Sequence, residues 1–124
     1  MKSVLIVDDS ATILMSLEGL LARNGYKVAK AMSGEEAVRL LSGSQCTPDL
    51  IITDLNMGSM NGIGLIRAVR AMPRLRFVPI LMLTTESQAE KRQEAKQAGA
   101  TGWLVKPVAK DDLLRVLGQV LPGA

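Results

Sequence analysis

A chain of 124 residues, 48% of them apolar, suffices for one domain with a real core and needs no disulfide or structural metal to fold. Its single cysteine, Cys46, excludes an internal disulfide and any CxxC motif, and the absence of histidine excludes His-based catalysis and His metal sites. The net charge of +3 would suit nucleic acid, but the basic residues are scattered, with no helix-turn-helix or aromatic RNA platform, so the surplus reads as solubility and no nucleic-acid partner is expected.

At the amino end, Met1-Lys2-Ser3 leads into only four apolar residues, too few for a signal peptide or a membrane span, which predicts a cytoplasmic protein with no membrane insertion. Those four residues, 4–7, read as a buried strand that stops at Asp8-Asp9. Ser10 or Asp9 can cap a helix whose apolar positions Ile13, Leu17, Leu20 and Leu21 fall at helical spacing, ended by Asn24-Gly25. Residues 27–31 form a shorter strand with polar interruptions, nearer an edge. Ser33 and Glu36 have capping-box spacing and open a helix with Ala37, Leu40 and Leu41 inward; residues 43–48 then connect to the next strand.

Residues 50–53 read as a strand whose apolar run of three, Leu50 to Ile52, gives way through Thr53 to Asp54, the pattern of a strand buried on both faces. A Gly/Ser/Asn loop through Gly62 leads to a third helix with Ile63, Ile66 and Val69 inward and Arg67, Arg70 and Arg74 on a solvated side. Residues 80–83 form a fourth strand ending in Thr84-Thr85. Ser87 and Glu90 suggest a second capping box, for a helix with little beyond Ala89, Ala95 and Ala98 to bury, hence one that shifts cheaply. Residues 102–105 make a fifth strand ending in Lys106-Pro107. The last helix, from about 111 to 121, turns Leu113, Leu114, Leu117, Val120 and Leu121 inward, with Asp111 and Asp112 favourably placed at its positive end. Five alternations of strand and helix predict an α/β domain spanning residues 1–124, a parallel sheet covered by helices on both sides.

In such sheets ligands sit beyond the carboxyl ends of the strands. There this chain places Asp8, Asp9, Asp54, Thr84 and Lys106. One Asp at a strand end is more often a helix cap than a catalytic group, but all of these together are hard to ascribe to capping. Three clustered carboxylates repel one another and recruit a cation; all-oxygen ligands without His or Cys point to hard, octahedral Mg2+ rather than calcium. A fixed ammonium and a hydroxyl suit phosphoryl oxygens, and a carboxylate can be the nucleophile of an in-line phosphoryl transfer, giving an acyl phosphate. Asp54 is the candidate nucleophile.

The stretches VLIVDDS, DLIITDLNM, MLTTES and GWLVKP, in that order, resemble response-regulator receiver domains over the whole chain, and within them the single-domain chemotaxis regulators of CheY type. That resemblance implies a flavodoxin-like, doubly wound (βα)5 fold of three layers, with strand order 2-1-3-4-5. It implies that Asp54 accepts a phosphoryl group from a histidine kinase; that Asp9, Asp54 and the Asn56 carbonyl ligate Mg2+, with Asp8 assisting through water; and that Lys106 contacts the phosphoryl group. Thr84 would move toward the phosphoryl group as the switch, coupled to Trp103; Asn56 and Glu86 would tune phosphoryl lifetime; Pro107 would follow a cis peptide bond. Three positions depart from the pattern: Met57-Gly58 where Met-Pro is usual, implying a more mobile loop; Asn61 where Asp is usual; and Trp103 where Tyr, Phe or His is usual.

The implied function is that of a two-component response regulator with no output domain, signalling as a monomer through a changed protein-binding face. Arg92, Lys96, Trp103 and Val116 are that face's candidate contacts. Its partners would be a chemotaxis-type histidine kinase or a phosphotransfer protein upstream, and downstream a protein target such as the flagellar motor switch. It is not expected to be an enzyme beyond assisting its own phosphorylation and dephosphorylation. A phosphate sink or shuttle in a phosphorelay has the same signature. A metal-dependent phosphohydrolase fits less well, because Asn56 stands where such enzymes place a second Asp; a flavin binder fits less well again, because Asp8-Asp9 would repel its phosphate.

Overall fold

Short apolar runs that bury both faces assemble here into one parallel sheet. The computed structural model describes residues 2–43 and 46–121; Ser44 and Gln45 of the expected 43–48 connection lie outside the described residues. The strands are β1 (Ser3–Val7), β2 (Lys27–Ala31), β3 (Leu50–Thr53), β4 (Ile80–Thr84) and β5 (Gly102–Val105), all parallel, in the order β2-β1-β3-β4-β5. The helices are α1 (Ala11–Arg23), α2 (Gly34–Ser42), α3 (Gly62–Arg70), α4 (Ala89–Ala98) and α5 (Lys110–Val120), with a 3-10 turn over Pro73–Leu75.

Alternation along the strands divides the core into two layers. Leu5, Val7, Ile51, Ile80 and Met82 face α2, α3 and α4, whereas Val4, Ile6, Ile52, Leu81 and Leu83 face α1 and α5. Each fully buried Ile or Leu contributes roughly 2–3 kcal/mol of hydrophobic stabilisation. β2 and β5 form the two edges, which is why their burial is interrupted while β3 and β4 are buried throughout.

Local chemistry sets the helix starts. Ser10, not Asp9, caps α1, accepting from the Ile13 N–H at 3.3 Å, and Gly25 leaves that helix at φ +87°, in the left-handed region. Ser33 caps α2 and Asn61 caps α3. The expected capping box at α4 does not form: the helix starts one residue later, Gln88 is its N-cap with no side-chain hydrogen bond, and Ser87 lies too early to cap. Ala95 is the one buried residue of α4, in keeping with the weak burial expected of it. α5 begins at Lys110, one residue ahead of expectation.

The expected solvated side holds for Arg67, which is exposed and lies 3.8 Å from Glu94, and for Arg74, also exposed, whereas Arg70 is half-buried. Arg70 donates to the Gly99 carbonyl at 2.7 Å and to the Val78 and Arg76 carbonyls at 2.6 and 3.0 Å. Arg74 donates to the carbonyls of Leu41 and Gly43. Helix C-terminal ends leave carbonyls without intrahelical partners, and a guanidinium carries five donors, so two arginines close the ends of α4 and α2.

Candidate functional site

Register brings the acidic residues together. Val7 of β1 pairs with Thr53 of β3, so the next residues, Asp8 and Asp54, leave the sheet side by side. The Asp54 N–H continues the ladder by donating to the Val7 carbonyl at 3.0 Å. On the other side Thr84 pairs with Val105, and the Lys106 N–H donates to the Thr84 carbonyl at 2.8 Å. The Lys106-Pro107 bond is cis.

Asp8 is buried and has both carboxylate oxygens engaged: Oδ1 accepts from the Ser10 N–H at 2.9 Å, and Oδ2 from Lys106 Nζ at 2.8 Å. Asp54 is largely enclosed, its Oδ1 accepting from the Leu55 N–H at 2.7 Å and its Oδ2 lying 3.4 Å from Lys106 Nζ. Asp9 is exposed. One oxygen from each of Asp8, Asp9 and Asp54 lies within 4.8 Å of the others. Against three carboxylates stands one ammonium, an excess of two negative charges that a divalent cation would neutralise. The donor set is all oxygen and partly open to solvent through Asp9, which fits a hard ion that keeps waters. Asp8, with both oxygens occupied, stands behind that opening.

The backbone at Asp54 is closely packed from the α3 side. A Cβ on Gly62 would lie 2.3 Å from the Asp54 carbonyl oxygen, so α3 packs its first residue directly against the backbone of Asp54. The Met60-Asn61-Gly62 run was the available signal, read from the sequence as loop and as a departure from the family pattern at Asn61.

Thr84 is wholly buried, and its Oγ1 accepts from the Glu86 N–H at 3.2 Å. Trp103 Nε1 donates to the Glu86 carbonyl at 3.1 Å. Trp103 also lines a groove of about 430 Å³ between α4 and β5, with Arg92 and Lys96 on its α4 side. Val116 does not line this groove; it is half-buried and packs against the core layer shared by α1, α5 and the sheet. Asn56 is exposed in the loop after Asp54, and Gly58 there takes φ +81°, which proline cannot adopt. A second, more apolar cavity of about 440 Å³ lies between α1 and the β5–α5 connection, with Lys106 in its wall.

Comparison with known proteins gives the family and supports the fold. The family model for the response regulator receiver domain matches residues 4–118. The chain is 38% identical over 122 residues to the chemotaxis protein CheY of Pseudomonas aeruginosa, covering 94% of this chain and 97% of that protein. It superposes on the chemotaxis response regulator CheY4 of Vibrio cholerae with a TM-score of 0.90 at 45% identity, over 98% of this chain and 99% of that one. The signal receiver domain of a signal transduction histidine kinase from Syntrophus aciditrophicus matches with a TM-score of 0.90 at 34% identity, over 100% of this chain and 92% of that one.

Proposed function

The chain belongs to the response regulator receiver domain family and is a two-component response regulator, and on that premise we propose that Asp54 is its phosphoacceptor. The observation that carries the proposal is the bridge from Lys106 Nζ to both Asp8 and Asp54, at 2.8 and 3.4 Å, beside the exposed Asp9. In this reading Asp9, Asp54 and the Asn56 carbonyl hold Mg2+, and Asp8 assists through water. Mg2+, when bound, supplies positive charge that offsets the carboxylates and the phosphoryl oxygens.

The residues of the chain do the rest. An Asp54 carboxylate oxygen forms a bond to phosphorus in line with the departing imidazole of a phosphohistidine; the P–N bond breaks, and its electron pair leaves on the nitrogen, which takes up a proton. Lys106 pairs with the phosphoryl oxygens, exchanging one carboxylate contact for another anion. Thr84 gives up the Glu86 N–H to reach the phosphoryl group, and Trp103, bonded to the same residue, passes the change to the α4–β5 groove. Glu86 and Asn56 flank the approach of water and set the lifetime of the acyl phosphate. The protein thus takes part in its own phosphorylation and dephosphorylation without being an enzyme in the usual sense.

A histidine kinase of the chemotaxis system is the proposed donor, and a protein target such as the flagellar motor switch the proposed receiver of the signal, supported by likeness to CheY along nearly the whole of both chains. A cytoplasmic place of action belongs to the same reading; among the described residues no helix is long and apolar enough to cross a membrane. A shuttle within a phosphorelay is the second reading, favoured by the match to a receiver domain that belongs to a histidine kinase. Acetyl phosphate with Mg2+ should add one phosphoryl group, seen by intact mass under acid quench. Modification that persists in Asp54→Asn would sink the assignment.

A further inference from the structure

The loop after Asp54 is tied to a helix that the site itself does not use. The base of the loop is well held: Leu55 and Met57 are buried, and the Gly62 N–H donates to the Leu55 carbonyl at 2.8 Å. Its crest is not. Gly58 has φ +81°, with nothing within 4 Å of where a Cβ would stand, so the crest has neither a proline ring nor packing to stiffen it.

The next residue supplies a tie. Ser59 donates its hydroxyl to the carboxylate of Glu35, at the start of α2. Met60 reinforces it by packing on Gly34, where an added Cβ would lie 2.7 Å from the Met60 Sδ. The receiving helix end is fixed in turn. Ser33 Oγ accepts from the Glu36 N–H at 3.0 Å, and the Glu36 carboxylate accepts from the Met32 N–H at 2.7 Å. Glu36 therefore folds back on its own helix start, leaving its neighbour Glu35 to serve the loop. The Ser59 hydrogen bond also holds the Glu35 carboxyl below its ordinary range, because it favours the ionised form.

We propose that Glu35 is a positioning residue for the cation site: through Ser59 it tethers the loop that Gly58 leaves loose, and so holds the Asn56 carbonyl in place for a divalent cation. The inference rests on the reading of Asp9, Asp54 and Asn56 as the ligands. Glu35 does not itself join the acidic cluster, which among the described residues contains only Asp8, Asp9 and Asp54. Its action is mechanical, as a partner that orients a ligand rather than as a ligand.

Titration of the full chain with MgCl2, followed by the amide shifts of Asp54 and Leu55, tests this. Glu35→Ala and Ser59→Ala should each weaken Mg2+ binding by about three- to tenfold, the worth of one hydrogen bond. The double variant should lose no more than either single one. Glu35→Gln, which keeps a neutral and so weaker acceptor for Ser59, should lose less than Glu35→Ala. Amide hydrogen exchange at Gly58 and Ser59 should rise in both alanine variants and less in Glu35→Gln. Unchanged Mg2+ affinity in the alanine variants, with a wild type that binds, overturns the tether and leaves the ligand reading standing. Glu35→Gln as weak as Glu35→Ala assigns the effect to charge and also overturns it. A wild type that binds no Mg2+ removes the ligand reading, and the tether with it.

Discussion

Trp103 and Thr84 hold the same residue, Glu86, through its two backbone groups. The Trp103 indole donates to the Glu86 carbonyl at 3.1 Å, and the Glu86 N–H donates to the Thr84 hydroxyl at 3.2 Å. The residue that ends β4 and a residue lining the α4–β5 groove are thus two hydrogen bonds apart, with no side chain between them other than their own.

Trp103 is the only tryptophan in the chain, so its fluorescence reports this link without labelling. Acetyl phosphate with Mg2+ should change the emission of the wild type and leave that of Asp54→Asn unchanged. Trp103→Phe keeps an aromatic ring but loses the donor; hydrogen exchange of the Glu86 amide should then rise about fivefold, the equivalent of a single hydrogen bond near 1 kcal/mol. An unaltered exchange rate would mean the indole bond does not restrain the loop.

Asp9 is the exposed member of the cluster, and its charge is held beside two others. In metal-free buffer Asp9→Asn should stabilise the protein by about 0.5–1 kcal/mol, a small gain because the group faces solvent. The wild type should gain about 2–3 kcal/mol at Mg2+ near a hundred times its dissociation constant, and Asp9→Asn much less. Urea melts with EDTA and with Mg2+ measure both; a variant that gains as much from Mg2+ as the wild type removes Asp9 from the ligand set.

Lys106 separates two carboxylates, one of them buried. Lys106→Met keeps most of the bulk and leaves Asp8 without its cation, so the cost should be about 2–4 kcal/mol in metal-free buffer. Added Mg2+ should restore part of it. A midpoint shifted by less than the error of the melt would show that Ser10 alone is enough to hold Asp8.

Two glycines should respond with opposite signs. Gly62→Ala drives a methyl against the Asp54 carbonyl and should destabilise by about 1–3 kcal/mol while slowing phosphorylation. Gly118 lies within α5 with nothing within 4 Å of an added Cβ, and Gly118→Ala should stabilise by about 0.5–1 kcal/mol without affecting phosphorylation. Thermal melts compare them; equal losses at both sites would contradict the close approach at Asp54.

Much of this site was legible because of where burial stops. A strand covered on both faces reads as a continuous apolar run, so Asp8, Thr84 and Lys106 mark the carboxyl edge as the first polar residues after their runs, and Asp54 as the first charged one. The order of the strands was not legible in periodicity; it came from the likeness to receiver domains. The carbonyl partners of Arg70 and Arg74 were not legible because helical spacing tells which side a residue faces but not that carbonyls wait there. These partners lie as far off in the chain as Gly99 and Leu41. The missing cap at α4 has a local cause: Ser87 carries the right chemistry one residue too soon. The Ser59–Glu35 tie was invisible for the same reason as the arginines, being a contact between a loop and a helix far apart in the chain.

Arg70 grips α4 at Gly99, at the edge of the sheet remote from the acidic cluster, whereas the other end of that helix, at Gln88, has no side-chain cap. A rod clamped at one end is a cantilever. Ten residues of helix span about 15 Å, so a tilt of roughly 10° about the clamp sweeps the uncapped tip by about 2.5 Å and barely moves the clamped end. The travel is greatest beside Glu86 and Trp103, where a displacement of Thr84 would be felt first.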